Sequence, residues 1–335
     1  MKKLLRNTLK FLLPLILGVS IFYSLYRNLD TGEMVNILTT QINYYLIFIS
    51  VLIGLFSHIA RAIRWRLQLQ VLGENPSMRI LTNAIFGMYA MNLLFPRLGE
   101  VWRCTYIARR QRMSFAQVLG SVFSDRLSDS ITVLMLTGAV FFLQMSVFKE
   151  FLSRFPMIVS TWQSLVSSPG LYLGIAVFVL FLVWLFRKKT DNKYMVKLKT
   201  LIDNLWVGFN SVLKMKQGYK FILYTVLIWT CYFLQLYVCL LAFPETAHLG
   251  VLAALTLFVM GSIGMSIPVQ GGLGPWHLAV IAALALYGVG EPVSKVFALV
   301  AHGSQMLLIV LLGIYTLFSI GLEKREDVPA VADAE

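Results

Sequence analysis

Long, nearly unbroken apolar blocks constrain this chain more than any other feature. A basic start leads into "FLLPLILGVSIFYSLY", and seven further blocks run approximately over residues 44–60, 80–95, 115–148, 170–186, 221–243, 251–267 and 293–320. A helix needs roughly 20 apolar residues to cross a bilayer, and most blocks approach that length. Charged residues make up 13% of the chain against 58% hydrophobic ones, too few charges to cover a water-facing surface. The blocks are also too long and continuous for the alternating strands of a barrel. The expected fold class is therefore all-α: a polytopic integral membrane protein forming a single transmembrane domain over residues 1–325. A disordered tail is expected over 326–335.

The formal net charge of +13 fits basic cytoplasmic loops in contact with anionic lipid, and nucleic acid is not an expected partner. Cys104, Cys231 and Cys239 lack metal-ligand spacing. No metal and no cofactor is expected. The N-terminal run has no small-residue cleavage pattern and reads as a retained first helix rather than a signal peptide.

Lysine and arginine set the orientation. Of 29 basic residues, Arg27, Lys149, Arg154 and Lys295 fall on one side, Arg126 falls within a span, and the remaining 24 fall on the other. Both termini are then cytoplasmic, in the cell (inner) membrane. The same count treats Arg61–Arg79 as a cytoplasmic loop. It also bears on "NLLFPRLGEVWR", Asn92 to Arg103, where helix breakers and opposed charges end an apolar run. The following segment, rich in arginine up to Arg112, is too short and too charged to cross back. A re-entrant hairpin over about 80–110 satisfies the count; an ordinary span ending in a polar cytoplasmic turn is the alternative. Broken backbone at membrane depth needs protein or a wet cavity around it.

A second interrupted stretch, "SIPVQGGLGPWHLAV", Ser266 to Val280, reads as a hairpin over about 251–288 entering from the opposite face. The two stretches resemble each other. "LGEVWR" stands against "LGPWH", Gly99 precedes Arg126 by 27 positions, and Gly274 precedes His302 by 28. The expected architecture is about six full spans plus two opposed re-entrant hairpins, eight or so hydrophobic segments, related as an inverted repeat. Between the halves, apolar residues from Leu198 to Leu213 recur at helical spacing. They predict a cytoplasmic amphipathic helix over about 195–216.

Ionisable residues inside a membrane domain usually face a cavity and find partners. Here Arg97, Glu100 and Arg103 follow the first break, and Asp125, Arg126 and Asp129 open the next span. Gly271, Gly272, Gly274, His277 and His302 mark the second half. Arginine suits phosphate, because its planar fork donates two hydrogen bonds at once. Two readings are open for the cluster: a site for an anionic headgroup, or ion pairs that clamp hairpin to span. His302 reads more simply as a packing residue. No GxSxG, HExxH or Walker loop occurs, so a transporter is expected rather than an enzyme.

At "NLLFPRLGEVWRCTYIARRQRMSFAQVLGSVFSDRLSD" and "SIPVQGGLGPWHLAV" the chain resembles the lysylphosphatidylglycerol synthase transmembrane, or flippase-like, family. The matching positions are Pro96, Arg97, Gly99, Glu100 and Arg103, then Asp125 and Arg126, then Pro268, Gly271, Gly272 and Gly274. Asp125 stands where the family often has glutamate. Trp276–His277 stands where it often has an acidic residue. The resemblance implies a polytopic bacterial or archaeal membrane protein that moves or presents lipids. Joined to the arginine chemistry, the expected function is a lipid translocase binding an anionic headgroup, of phospholipid or polyprenyl-phosphate type, in a central polar cavity. The soluble aminoacyl-transfer domain of bifunctional relatives is not expected after "EKREDVPAVADAE". Alternatives are a lipid-phosphate transferase or phosphatase using Asp125 and Asp129, and an accessory of an envelope-biosynthesis enzyme.

Overall fold

A computed structural model describes residues 2–145, 167–187 and 215–322 continuously, with scattered single positions between them. Nearly all of the amphipathic segment expected over 195–216, up to residue 214, and the tail expected over 326–335 lie outside the continuously described residues. Every regular element among the described residues is helical. In chain order the helices are α1 (Lys2–Tyr26), α2 (Thr31–Asn36), α3 (Tyr44–Val71), α4 (Met78–Leu94), α5 (Leu98–Arg110) and α6 (Phe115–Leu143). They continue with α7 (Pro169–Arg187), α8 (Gly218–Leu241), the single turn α9 (Pro244–Ala247), α10 (Val251–Met265), α11 (Pro275–Leu286) and α12 (Glu291–Gly321). Four of them, α3, α6, α8 and α12, are long and apolar enough to cross a bilayer alone. The end of α1 and the segment Thr31–Gln41 qualify as a fifth, bent by 93°. Helix α7, at 19 residues, reaches roughly 28 Å at 1.5 Å per residue.

The loop expected over Arg61–Arg79 is a correction: α3 stays helical to Val71. The apolar block ends at Ala60 because arginines follow, yet Arg61 and Arg64 are buried inside the protein.

Both interrupted stretches fold as antiparallel helix pairs. Phe95 closes α4 in extended backbone (φ −134°, ψ 117°), the conformation imposed on a residue before proline. Arg97 then turns the chain in the left-handed region at φ 62°. The returning α5 lies so close to α4 that Trp102 fills the space of a side chain at Gly87. A methyl group at Gly99 would strike the carbonyl of Met88. The second pair repeats the device. Trp276 of α11 packs on Gly261, and Gly264 of α10 lies against the backbone at Pro275 and Trp276. Its break runs through Gly272 and Gly274 at φ 77° and 90°, conformations that favour glycine.

The two breaks meet. Gly271 faces Leu93 at the end of α4 and Met306 of α12. Helix α1 closes over the second break, with Gly18 in contact with the carbonyl of Leu273. Two buried apolar clusters hold the pairs in place. One gathers Leu240, Phe243, Leu257, Val280 and Phe297 around the second pair. The other gathers Trp65, Leu81, Ile85 and Ile107 around the first. Large apolar side chains such as Leu134, Phe142, Leu317 and Phe318 point outward, as a lipid-facing surface requires.

Candidate functional site

The charged residues of the first half converge where α3, α5 and α6 meet. Asp125 and Asp129 sit one turn apart on α6, and Arg61 and Arg64 sit one turn apart on α3. The matched spacing lets each arginine reach both carboxylates. Arg64 Nη2 lies 2.6 Å from Asp125 Oδ1 and 2.8 Å from Asp129 Oδ1. Arg61 Nη1 lies 2.6 Å from Asp129 Oδ2 and 3.5 Å from Asp125 Oδ2. Asp125 and Arg64 are fully shielded from outside. Arg64 Nη1 also donates to Thr225 Oγ1 of α8, 3.1 Å away. This inner tier ties three helices together, because a buried charge stripped of its partner is strongly unfavourable.

Arg103 approaches from α5. Its guanidinium lies 4.4 Å from the ring centre of Trp65 and 3.5 Å from Asp125 Oδ2. It is fully buried, and none of its three nitrogens has a hydrogen-bond partner among the described residues. Trp65 is fixed by its own indole N–H, which donates to Ser121 Oγ at 3.0 Å.

An outer tier is partly open. Arg126 Nη2 lies 2.5 Å from Glu100 Oε1, with side-chain exposures of 38% and 20%. Asn92 holds the carboxylate across the break. Its Nδ2 donates to Glu100 Oε2 at 3.2 Å, and its Oδ1 accepts from the Gly99 amide at 2.9 Å. Four arginines (61, 64, 103 and 126) thus face three carboxylates (100, 125 and 129), leaving one surplus positive charge.

The expected residues do not form one set. Glu100, Arg103, Asp125, Arg126 and Asp129 come together. Arg97 stays exposed at the turn, outside this cluster. Gly271, Gly272 and Gly274 shape the second break and are packed against Leu93, Met265 and Gly18 respectively. His277 and His302 form a separate aromatic nest, with ring centres 4.6 Å apart. His302 stacks on Trp276 at 5.1 Å, and its Nε2 lies 2.9 Å from the carbonyl oxygen of Gly271. Sequence reasoning missed Arg61 and Arg64, the shortest partners of both aspartates. The available signal was their three-residue spacing directly after an apolar block, matched to the four-residue spacing of Asp125 and Asp129. It missed Asn92 as well.

No group of three or more His, Cys, Asp or Glu side chains placed to hold a metal ion occurs among the described residues. Both aspartates are instead engaged by guanidinium groups.

Interrupted helices whose breaks meet, a buried arginine–carboxylate cluster and an apolar exterior define a multi-pass helical membrane protein. A sequence profile of the lysylphosphatidylglycerol synthase TM region matches residues 11–313, and the chain belongs to that family. That membership ties the protein to lipid metabolism or transport. No curated protein and no solved structure matches the chain.

Proposed function

We propose that the protein translocates membrane lipids bearing an anionic headgroup, with the arginine cluster of the first half as the headgroup site. The observation that carries this reading is the surplus cation: Arg103 is buried, lacks any hydrogen-bond partner among the described residues, and belongs to a cluster with more arginines than carboxylates. A phosphate would balance that charge and accept the unused N–H groups.

The two tiers divide the work. Arg61 and Arg64 hold Asp125 and Asp129 and keep the helices in register. Arg126 and Glu100 form the accessible edge, where a phosphate can replace the carboxylate on Arg126. The hairpins are re-entrant in this reading, entering from opposite faces as an inverted repeat with cytoplasmic termini. The paired packing of Trp102 on Gly87 and Trp276 on Gly261 supports that relation.

A phosphotransferase using Asp125 and Asp129 is less favoured, because a metal ion would first have to displace two guanidiniums from them. The test is a flip assay in proteoliposomes with labelled phospholipids and polyprenyl-phosphate lipids. The wild type moves at least one of them, and Arg103→Ala with Arg126→Ala abolishes the movement. Unchanged movement in the double variant would remove the site.

A further inference from the structure

A pocket of about 320 Å³ shares no residue with the arginine cluster and lies between the end of α1, α11 and the start of α12. Lys295, in its lining, and Ser319 stand 24 positions apart on α12, roughly 36 Å at 1.5 Å per residue. Ser319 accepts hydrogen bonds from Arg79 and Asn83 at the base of the first hairpin. The pocket is therefore at the opposite end of the bundle, farther from that base than the ~30 Å hydrocarbon thickness of a bilayer. Its walls are preformed. Phe22 and Tyr26 of α1 stack at 4.4 Å and both meet His277 of α11 edge-on. The Tyr26 hydroxyl donates to the Lys295 carbonyl at 3.0 Å and ties α1 to α12.

The pocket is amphiphilic. Leu25, Leu278, Ile281 and Ala285 form an apolar side, and Leu278 is exposed on the outer face of α11. Ser24, Asn28, Glu291 and Lys295 form a polar side. Its charges are layered. Glu291 is the first residue of α12, and Lys295 sits one turn deeper. The Lys295 side chain is 7% exposed, whereas that of Glu291, 2.6 Å from it, is 72% exposed. A second exposed carboxylate stands at the rim, with Glu245 Oε2 3.9 Å from the place of a Cβ on Gly290.

A buried ammonium needs acceptors, and Glu291 serves Lys295 from the water side. A carboxylate so exposed can turn outward at little cost once another anion occupies the lysine. A guest carrying only negative charge would meet both carboxylates. A zwitterion matches both layers: its phosphate reaches Lys295 below, and its ammonium meets Glu291 and Glu245 above. An amine-bearing phospholipid has that order, phosphate nearer the chains and amine nearer water. The apolar side then receives the start of the chains.

We infer that this pocket binds one phospholipid with a zwitterionic, amine-bearing headgroup, its phosphate on Lys295 and its ammonium on Glu291 and Glu245. The site is separate from the headgroup site proposed in the first half, and its occupancy does not depend on transport.

The test is a titration of the purified full-length protein with phosphatidylethanolamine and phosphatidylglycerol of identical chains, with bound lipid counted by native mass spectrometry. Lys295→Met should weaken phosphatidylethanolamine binding about tenfold or more, the loss of one charge-assisted hydrogen bond. Leu278→Trp should fill the pocket and weaken it as well. Glu245→Gln with Glu291→Gln should weaken phosphatidylethanolamine and leave phosphatidylglycerol unchanged or tighter. The last two variants alter exposed side chains, so they decide the matter should Lys295→Met not fold. Unchanged phosphatidylethanolamine binding in a folded Lys295→Met or in Leu278→Trp overturns the site. Unchanged phosphatidylethanolamine binding in the double glutamine variant overturns the assignment of the amine. Free phosphoethanolamine should not compete at lipid concentrations, and competition equal to that of the lipid would overturn the assignment to a phospholipid. A protein that moves no lipid at all removes the translocase reading and leaves this titration decisive.

Discussion

Glu100 Oε1 stands 2.5 Å from Arg126 Nη2, so the first hairpin is latched to α6 by a carboxylate where a lipid phosphate is proposed to bind. Neutralising the latch should favour the phosphate. Glu100→Gln is expected to retain more anionic lipid through purification, and Arg126→Gln less. Native mass spectrometry of the two variants beside the wild type reads the difference, and identical lipid content in all three would refute the exchange.

The inner tier is expected to behave as a coupled unit. Arg64→Met removes the shortest partner of Asp125 and should cost about 3–5 kcal/mol, as for other broken buried pairs. Adding Asp125→Leu to the same chain should recover a large part of the loss. Thermal unfolding in detergent measures both, and an additive further loss in the double variant would show that the two residues act independently.

Helix approach within the first hairpin depends on Gly99. A methyl group there meets the Met88 carbonyl, backbone that cannot give way. Gly99→Ala should lower stability by about 1–3 kcal/mol, the range for overpacked cores. Gly138→Ala in α6 meets nothing within 4 Å among the described residues and should be neutral or slightly stabilising. Melting curves of the pair isolate the close approach from helix propensity.

Arg97 holds a left-handed turn at φ 62°, a conformation costing roughly 1–2 kcal/mol for a residue with a side chain. Arg97→Gly should therefore raise stability by about 1 kcal/mol. Because Arg97 stands apart from the cluster, lipid movement should continue in that variant. Loss of movement at full stability would place Arg97 in the headgroup site after all.

Both helix breaks were legible in the sequence because proline and glycine punctuate apolar runs at Pro96, Gly99, Pro268 and Gly271–Gly274. Asp125, Arg126 and Asp129 were legible because charge inside a span is conspicuous. Arg61 and Arg64 were not, since hydropathy alone ends the third helix at Ala60. Only the matching aspartates on α6 let that helix carry two buried arginines and run on to Val71. Asn92 was equally hidden. Its side chain spans the break through two hydrogen bonds that exist only once α5 has turned back. The meeting of the two breaks at Leu93 and Gly271 is a long-range contact, which no local pattern encodes.

The most direct measurement is an experimental structure of the protein in nanodiscs rich in phosphatidylglycerol. The account predicts lipid phosphate within about 4 Å of the Arg126 or Arg103 guanidinium, ion-pair distance, with Glu100 displaced from Arg126. Lipid found only along the outward apolar faces, with Arg103 still stacked on Trp65 and Glu100 still closed on Arg126, would contradict it.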